Sequence, residues 1–404
     1  MLRTFALLLA LCVAAFGQAH QHDKMPAAPV ANGQFNPSVA ADQRGGFYLA
    51  YVQRTGTASD VMVRHSADGK TFTAPVRVND VAGDAAVRNE NPPKVIVAPN
   101  HDVYVCWANE RERWKGNIRF ARSTDGGKTF SKALTLNSDA AAPPVGHAFQ
   151  SLAVDTQGRI FIAWIDERRK TKADRGGEIW MSVSTNRGQS FGRDYRILSD
   201  VCECCRTTLV VDAHGTLFLS YRTVPHAGPM LRDIVVARSQ NSGKTFTPVS
   251  VSADGWEVNG CPVAGPSLNL DAAGNPVVVW FMGDEAKPGL YFSRSTDGGK
   301  TYAPRQTLDA AQHIGKHVHL AGGIGKQLFV AWDDADAKTF SVWGAFDGQA
   351  SVQQKSANYT GIAYPVAAVN GKVVLIAGLN LAAREIATFL EEPTAASAKQ
   401  EKPK

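Results

Sequence analysis

The sequence lacks the features that mark several large classes of protein. After residue 20, no apolar run approaches the roughly 18 residues that a membrane-spanning helix needs. No dense block of lysine and arginine stands out, and the formal net charge is only +6, so nucleic acid is not indicated as a partner. Glycine-rich phosphate loops and the Gly-x-Ser-x-Gly and His-Glu-x-x-His motifs are absent. These absences give no support to a membrane span, nucleotide binding, a serine hydrolase or a zinc peptidase.

The composition is that of a globular chain with many turns. Of 404 residues, 36 are glycine and 20 are proline, which disfavours long helices. Residues 1–19 predict a secretory signal peptide, with Arg3, a following apolar stretch and a small-residue cleavage site ending at Ala19. We expect a flexible segment at 20–27 and a disordered tail at 391–404. The mature protein is expected to be periplasmic or secreted, in an oxidising space.

One short pattern occurs five times, at intervals of 55 to 61 residues. The copies are residues 66–72, 123–130, 184–191, 239–246 and 295–302. Each has a serine, an aspartate or asparagine, a glycine and a final aromatic residue. Such a turn uses the Asp or Asn side chain to bind nearby main-chain amides and the glycine to adopt a positive φ. Each copy follows one apolar run and precedes another, which predicts a turn between two strands.

A second set of residues repeats with a similar spacing. Each of the six ends an apolar run, and the set is Tyr51, Trp107, Trp164, Tyr221, Trp280 and Trp332. Together the two repeats define units of four short strands, which are typical of propeller blades. We therefore predict an all-β propeller over residues 28–390, with seven four-stranded blades favoured and six possible. The seventh unit shows three strands, and an N-terminal strand at 28–32 is expected to complete it and close the ring.

The short pattern that occurs five times resembles the Asp-box, or BNR repeat, of the sialidase superfamily, and residues 123–130 match it fully. The resemblance implies a propeller whose Asp-box turns lie away from the ligand face. It also implies a possible exo-sialidase-like glycoside hydrolase, with an arginine clamp for a carboxylate and a tyrosine nucleophile. The candidates for these roles are Arg206, Arg222, Arg113 and Tyr364. The Phe/Tyr-Arg-Ile-Pro motif of the family is absent before the first Asp-box, which leaves the activity open.

Loops between the second and third strands of the blades are dense in charge of both signs. In a propeller these loops surround one mouth of the central channel, where we expect a polar or anionic ligand, most simply a glycan. The candidate ligand-binding residues are Arg111, Asp166, Arg168, Arg232, Asp284 and Asp333. A scaffold that binds another protein is a further interpretation, because repeat surfaces suit that role.

Cysteines and histidines recur at matching places before the inner strands of blades three to six. They are Cys202, Cys204, Cys205, Cys261, His147, His317 and His319. One interpretation is a disulfide between Cys261 and one of the other three cysteines. The alternative is a periplasmic copper or zinc site, or a redox-linked function. Cys106 lies in an apolar run and is expected to be a core thiol.

Overall fold

The computed structural model describes residues 31–88, 90–308, 315–324, 327–333, 340–346, 353–354, 359–371 and 373–392. The chain divides into two units after Ala31, and every strand that the structure describes belongs to the second unit. The predicted signal peptide, the segment 20–27 and most of the predicted tail lie outside the described residues. No helix in the described ranges has the length and apolarity needed to cross a membrane.

The described strands form seven antiparallel sheets in chain order. The first blade is β1 (Gly33–Ala41), β2 (Phe47–Thr55), β3 (Ala58–Ser66) and β4 (Val76–Arg77). The second is β5 (Lys94–Val97), β6 (Val103–Ala108), β7 (Ile118–Ser123) and β8 (Leu134–Thr135). The third is β9 (His147–Val154), β10 (Ile160–Asp166), β11 (Gly177–Ser184) and β12 (Tyr195–Val201). The fourth is β13 (Thr208–Val211), β14 (Leu217–Arg222), β15 (Ile234–Ser239) and β16 (Thr247–Ser250).

The remaining three sheets differ in strand number. The fifth blade is β17 (Ser267–Leu270), β18 (Pro276–Met282), β19 (Gly289–Arg294) and β20 (Gln306–Thr307). The sixth is β21 (His319–Ile324), β22 (Gln327–Asp333), β23 (Phe340–Phe346) and β24 (Gln353–Gln354), with β25 (Tyr359–Thr360) also paired to β23. The seventh is β26 (Ile362–Val369), β27 (Val374–Asn380) and β28 (Glu385–Glu391).

The first strands of the seven sheets surround a central channel. Each lies beside the first strand of the next sheet, and β26 lies beside β1. This closed circuit confirms the all-β propeller and favours seven blades over six. The predicted closing strand at 28–32 lies mostly outside the described residues. In the described part, the seventh blade is joined to the first by the Gln34 main-chain N–H, which donates to the Arg384 carbonyl at 2.8 Å.

Adjacent blades share their hydrophobic core. Every residue of the second strands β6, β10, β14 and β18 is buried, because each of these strands lies between two neighbouring sheets. Trp107, Trp164, Trp280 and Trp332 are among the largest fully buried side chains. The aromatic residue that repeats along the sequence therefore packs in the hydrophobic core between adjacent blades.

The Asp-box turns also join the blades. In the first copy, Asp68 Oδ1 accepts the main-chain N–H groups of Lys70 and Thr71 at 2.8 Å each. In each copy, the glycine three residues before the final aromatic residue has a φ between +73° and +83°; these are Gly69, Gly127, Gly188, Gly243 and Gly299. A Cβ on these glycines would lie 2.6 to 3.1 Å from a side chain of the preceding blade, such as Phe218 beside Gly299. Glycine is required there both by its positive φ and by this close approach.

Candidate functional site

A cavity of about 350 Å³ lies in the central channel and is lined by residues of the first strands and the loops that precede them. Where these strands begin, the lining is polar, with Glu90, Lys94, Arg206, His317, His319 and Tyr364. Towards their other ends the lining is apolar, with Ala41, Val97, Val210 and Val369. We call this space the channel cavity. Its polar end is the mouth at which the sequence predicted a ligand site.

Arg206 crosses the mouth of the channel cavity. It lies two residues before β13, and its Nη1 donates to the Glu90 carboxylate from the loop before β5. Its Nη2 donates to the main-chain carbonyl of Val318, just before β21. Blades two, four and six are thus linked through a single guanidinium. Both partners of the ion pair are nearly buried, with side-chain exposures of 11% for Arg206 and 1% for Glu90.

Lys94 supplies a second cation to the cavity. It is the first residue of β5, and its ammonium forms no ion pair or hydrogen bond with any residue that the structure describes. Burial and the positive charge of Arg206 lower the pKa of Lys94 from 10.5 to about 8. The charged side chains lining the cavity, apart from the histidines, are therefore two cations and one carboxylate. This excess of positive charge favours an anionic ligand.

His317 and Tyr364 line the mouth from blades six and seven. The His317 Nδ1 lies 2.8 and 2.7 Å from the two carboxylate oxygens of Asp333, at the end of β22. Asp333 also accepts the main-chain N–H of Tyr364 at 2.9 Å. A carboxylate on Nδ1 orients the ring and keeps the proton of the neutral imidazole on Nδ1, so that Nε2 is the nitrogen that gains or loses a proton. Burial alone would raise the pKa of Asp333, but the bonds and charge of His317 outweigh it and lower that pKa.

The Tyr364 ring contacts His317, with 4.3 Å between the ring centroids. Tyr364 has a φ of +52°, in the left-handed region that a bulky residue rarely adopts. Burial and the charges of Glu90 and Asp333 raise its pKa to about 12. The hydroxyl is therefore a proton donor at neutral pH. Backbone strain of this kind is often found at functional sites.

His319 is the inner-wall histidine of β21. Burial and the positive charges of Arg206 and Lys94 lower its pKa to about 3, so the imidazole is neutral. Its Nδ1 accepts the main-chain N–H of Ala367 at 3.2 Å. This bond joins blade six to blade seven and gives His319 a structural role in the wall.

The other two arginines of the predicted clamp are placed elsewhere. The Arg222 guanidinium is fully buried between blades four and five, where it donates to the main-chain carbonyls of Ala264, Arg232 and Phe281. Arg113 is exposed and lies over the Trp114 ring at 5.7 Å. The three predicted arginines are therefore not brought together, and only Arg206 lines the channel cavity.

Five of the six predicted binding residues form contacts within the rim itself. Arg232 donates to the carbonyls of Val258 and Gly260, at 3.3 and 2.6 Å. Arg111 donates to the Ala140 carbonyl at 2.7 Å, and Asp284 accepts the Ala286 N–H at 2.9 Å. Arg168 binds Asp166 and Asp194, with its Nη2 2.6 Å from each carboxylate. Their charges hold rim loops in place, away from the lining of the channel cavity.

His147 belongs to this second network and not to the cysteines. Its Nδ1 lies 2.7 Å from the Gly116 carbonyl, and its Nε2 lies 3.2 Å from both Asp139 and Asp166. Burial alone would lower the pKa of His147, but the two carboxylates outweigh it and raise that pKa to about 9. In this protonation state the imidazolium has no lone pair for a metal ion. The structure thus places His147 beside these two carboxylates and apart from the cysteines with which it was predicted to bind a metal.

The chain resembles known proteins in both sequence and fold. Residues 46–375 match the BNR repeat-like domain. The chain belongs to this family. The predicted Asp-box propeller is therefore confirmed by both sequence and structure. No curated protein matches the chain.

Solved structures share the fold of this BNR repeat-like protein at low sequence identity. One is a protein of unknown function from Dyadobacter fermentans, with 13% identity and a TM-score of 0.51 over 86% of this chain and 90% of that chain. Another is an ulvan lyase of polysaccharide lyase family PL25, bound to a GlcA(1-4)Rha3S saccharide, with 12% identity, a TM-score of 0.57 and coverage of 89% and 94%. A third is α-L-arabinanase of Penicillium chrysogenum complexed with arabinobiose, with 12% identity, a TM-score of 0.52 and coverage of 75% and 93%.

Four cysteines of the BNR repeat-like protein lie in the loops before β13 and β17. Cys204 and Cys261 form a disulfide with a Cα–Cα distance of 6.2 Å, so the predicted link between blades four and five is confirmed. Cys202 and Cys205 are free and buried, and Cys106 is a free core thiol. The Sγ atoms of Cys202, Cys204 and Cys205 lie within 4.8 Å of one another, and among the described residues no histidine joins them. His317 and His319 therefore belong to the channel cavity alone.

Two residues of the channel cavity, Glu90 and Lys94, were not among the predicted site residues. Lys94 stands at the start of an inner strand, where the corresponding positions in other blades include Ser38, Thr208 and Ser267. A lysine at a position where other blades have small hydroxyl side chains could have identified Lys94 as a site residue from the sequence. Glu90 had no such signal, because its position depends on a left-handed turn with a φ of +60°.

Proposed function

We propose that the protein binds an acidic saccharide in the channel cavity, with Lys94 and Arg206 facing a carboxylate of the ligand. The observation that carries this proposal is the Lys94 ammonium, which lines the cavity without an anionic partner among the described residues. An anion there would restore the electrostatic stabilisation that the lysine loses on burial. The ulvan lyase that shares the fold is described with a bound saccharide containing a uronic acid, which supports this ligand class.

We further propose that the protein acts outside the cytoplasm, in the periplasm or as a secreted protein. The support is the predicted signal peptide at residues 1–19. The disulfide between Cys204 and Cys261 agrees with an oxidising space. Acidic polysaccharides and glycoconjugates are accessible to a protein in that location.

Binding is tested by calorimetric titration with a sulfated uronic acid polysaccharide, a sialoside and neutral arabinan. We expect the acidic ligands to bind and the neutral one not to. Lys94→Gln should weaken binding at least about tenfold, because a hydrogen bond to a charged group contributes about 1.5–3 kcal/mol. Lys115→Gln is the matched control, since Lys115 forms only an exposed ion pair with Glu112. Equal affinity for arabinan, or no effect of Lys94→Gln, would contradict the proposal.

The pair of His317 and Asp333 beside Tyr364 favours a second step, cleavage of the bound glycan. His317 Nε2 would accept a proton from the substrate, and the Tyr364 hydroxyl would donate one to the leaving oxygen. Because the three predicted clamp arginines are separated, the geometry supports this acid–base route better than the sialidase reaction. In elimination, the carboxylate next to the acidic C–H would be neutralised by Lys94 and Arg206.

Product analysis distinguishes the possible reactions. Elimination leaves an unsaturated uronate that absorbs ultraviolet light, whereas hydrolysis releases reducing ends without that absorbance. We expect elimination, and we expect His317→Gln and Tyr364→Phe each to lower kcat by about 100-fold or more. Release of sialic acid would instead support the sialidase alternative. Binding without any product would restrict the function to recognition.

A further inference from the structure

The loop before β13 brings the sulfur atoms of Cys202, Cys204 and Cys205 close together. The Cys202 thiol donates to Cys205 Sγ at 3.1 Å, and the Cys202 and Cys204 Sγ atoms are 3.6 Å apart. The disulfide adds the Cys261 sulfur from the loop before β17. The turn is fixed by its main chain, because the Cys202 N–H donates to the Arg222 carbonyl at 2.8 Å. Four sulfur atoms from two blades are therefore held together by the fold.

The surroundings of these sulfurs are apolar and carry positive charge. Cys202 and Cys205 are each 1% exposed and pack with Val224, while Met230 packs against the same cluster. The Arg232 Nη1 lies 3.6 Å from Cys202 Sγ. Among the described residues, no carboxylate or imidazole joins the group. A site of this kind offers sulfur ligands only, which are buried at Cys202 and Cys205 and open to solvent at Cys261.

We propose that Cys202, Cys204, Cys205 and Cys261 form a copper(I) site that opens when the Cys204–Cys261 disulfide is reduced. Thiolates and thioethers are the soft ligands that copper(I) prefers. The Arg232 guanidinium offsets the negative charge that several thiolates bring to one ion. The thioether of Met230 is of use to copper(I) but is not a usual zinc ligand.

The disulfide makes copper binding depend on redox state. In the oxidised protein the Cys204 and Cys261 sulfurs are bonded to each other and cannot act as thiolates. A dithiol reductant supplies two electrons and two protons, the S–S bond breaks, two thiols form and the reductant becomes a disulfide. Cys261 is exposed, so the attacking thiolate can reach its sulfur. Copper(I) then displaces protons from the thiols as it binds.

The proposal is tested with the full protein under anaerobic conditions. The protein is reduced with a dithiol, desalted and titrated with copper(I) against a chromophoric copper(I) chelator. We expect one copper(I) per reduced chain and none per oxidised chain. We also expect copper to protect the four cysteines from alkylation, as mapped by mass spectrometry.

Variants and a second metal make the test specific. Cys202→Ser and Cys205→Ser should each weaken copper binding at least about 100-fold, whereas Cys106→Ala removes a thiol outside the cluster and should leave it unchanged. Circular dichroism reports whether each variant folds. If a variant does not fold, the protection of cysteines from alkylation by copper still tests the proposal on the wild-type protein. The proposal is overturned if the reduced protein does not compete with the chelator, or if zinc binds more tightly than copper(I). It is also overturned if Cys202 and Cys205 form a second disulfide that persists under reduction.

Discussion

Arg206 and Glu90 are 116 residues apart in the chain and form a nearly buried ion pair across the mouth of the channel. The pair orients the one predicted clamp arginine that lines the cavity. It also partly neutralises that arginine, so Lys94 is left as the unpaired cation. The ligand preference proposed for the cavity rests on this distribution of charge.

Replacement of Glu90 by glutamine should destabilise the fold. Glu90→Gln leaves the buried Arg206 charge beside Lys94 without its carboxylate, and breaking such a pair costs about 3 kcal/mol. Urea denaturation of wild type and variant measures the change in the free energy of unfolding. The control is Glu112→Gln in the exposed pair with Lys115, where a change within about 0.5 kcal/mol is expected. Similar small effects for both variants would show that the Arg206 pair contributes little.

His147 should make stability depend on pH in the neutral to alkaline range. Its pKa is about 9 in the folded protein and 6.5 as a reference, so the folded state binds the proton more tightly. The stabilisation is complete below pH 6.5 and is lost as the pH rises through 9, with a size of order 3 kcal/mol. The difference in unfolding free energy between wild type and His147→Gln, measured at each pH, should shrink over this interval. A constant difference would be inconsistent with this pairing.

Two adjacent glycines of the last Asp-box should differ in their tolerance of alanine. Gly298 and Gly299 have φ values of +70° and +80°, so both substitutions strain the backbone by about 1–2 kcal/mol. At Gly299 the new Cβ would also lie 2.6 Å from the Phe218 ring, whereas Gly298 has no such neighbour. Gly299→Ala should therefore lower the free energy of unfolding by about 1–3 kcal/mol more than Gly298→Ala. Equal thermal unfolding of the two variants would argue against the packing of this turn on the preceding blade.

Binding of an acidic saccharide should weaken above pH 8. Lys94 loses its proton near that pH, and a bound carboxylate raises its pKa again, so binding takes up a proton. Affinity should be level below pH 7 and should fall by up to about tenfold per unit above pH 8. Calorimetry in two buffers of different ionisation enthalpy measures the uptake. Lys94→Arg keeps its charge at all these pH values and should remove the dependence. An unchanged pH profile in Lys94→Arg would mean that another group is responsible.

The Asp-box repeat predicted the fold well because the hydrogen bonds that form each turn join residues close together in the sequence. Asp68 binds amides two and three residues away, so sequence alone specifies that turn. The glycines and the buried tryptophans repeat with the period of the blade. The strand expected at 28–32 to close the ring lies mostly outside the described residues.

The site was only partly predictable. Sequence assigned Arg206, His317, Tyr364 and Asp333 to one mouth of the channel, and the structure brings them together there, because position within the repeat determines which end a loop occupies. It could not show that Arg222 would be bound by carbonyls of the next blade. It also could not decide which of three cysteines pairs with Cys261, since residues 202, 204 and 205 share one turn.

The amino-acid sequence by itself determined the strand modules, their order and the end of the channel at which polar side chains gather. These follow from short-range bonds and from the periodic burial of apolar residues. Only the tertiary structure decided which charges meet, such as Arg206 with Glu90, and which thiols remain free. Those outcomes depend on distances of a few ångströms between different blades, and no pattern within one blade specifies them.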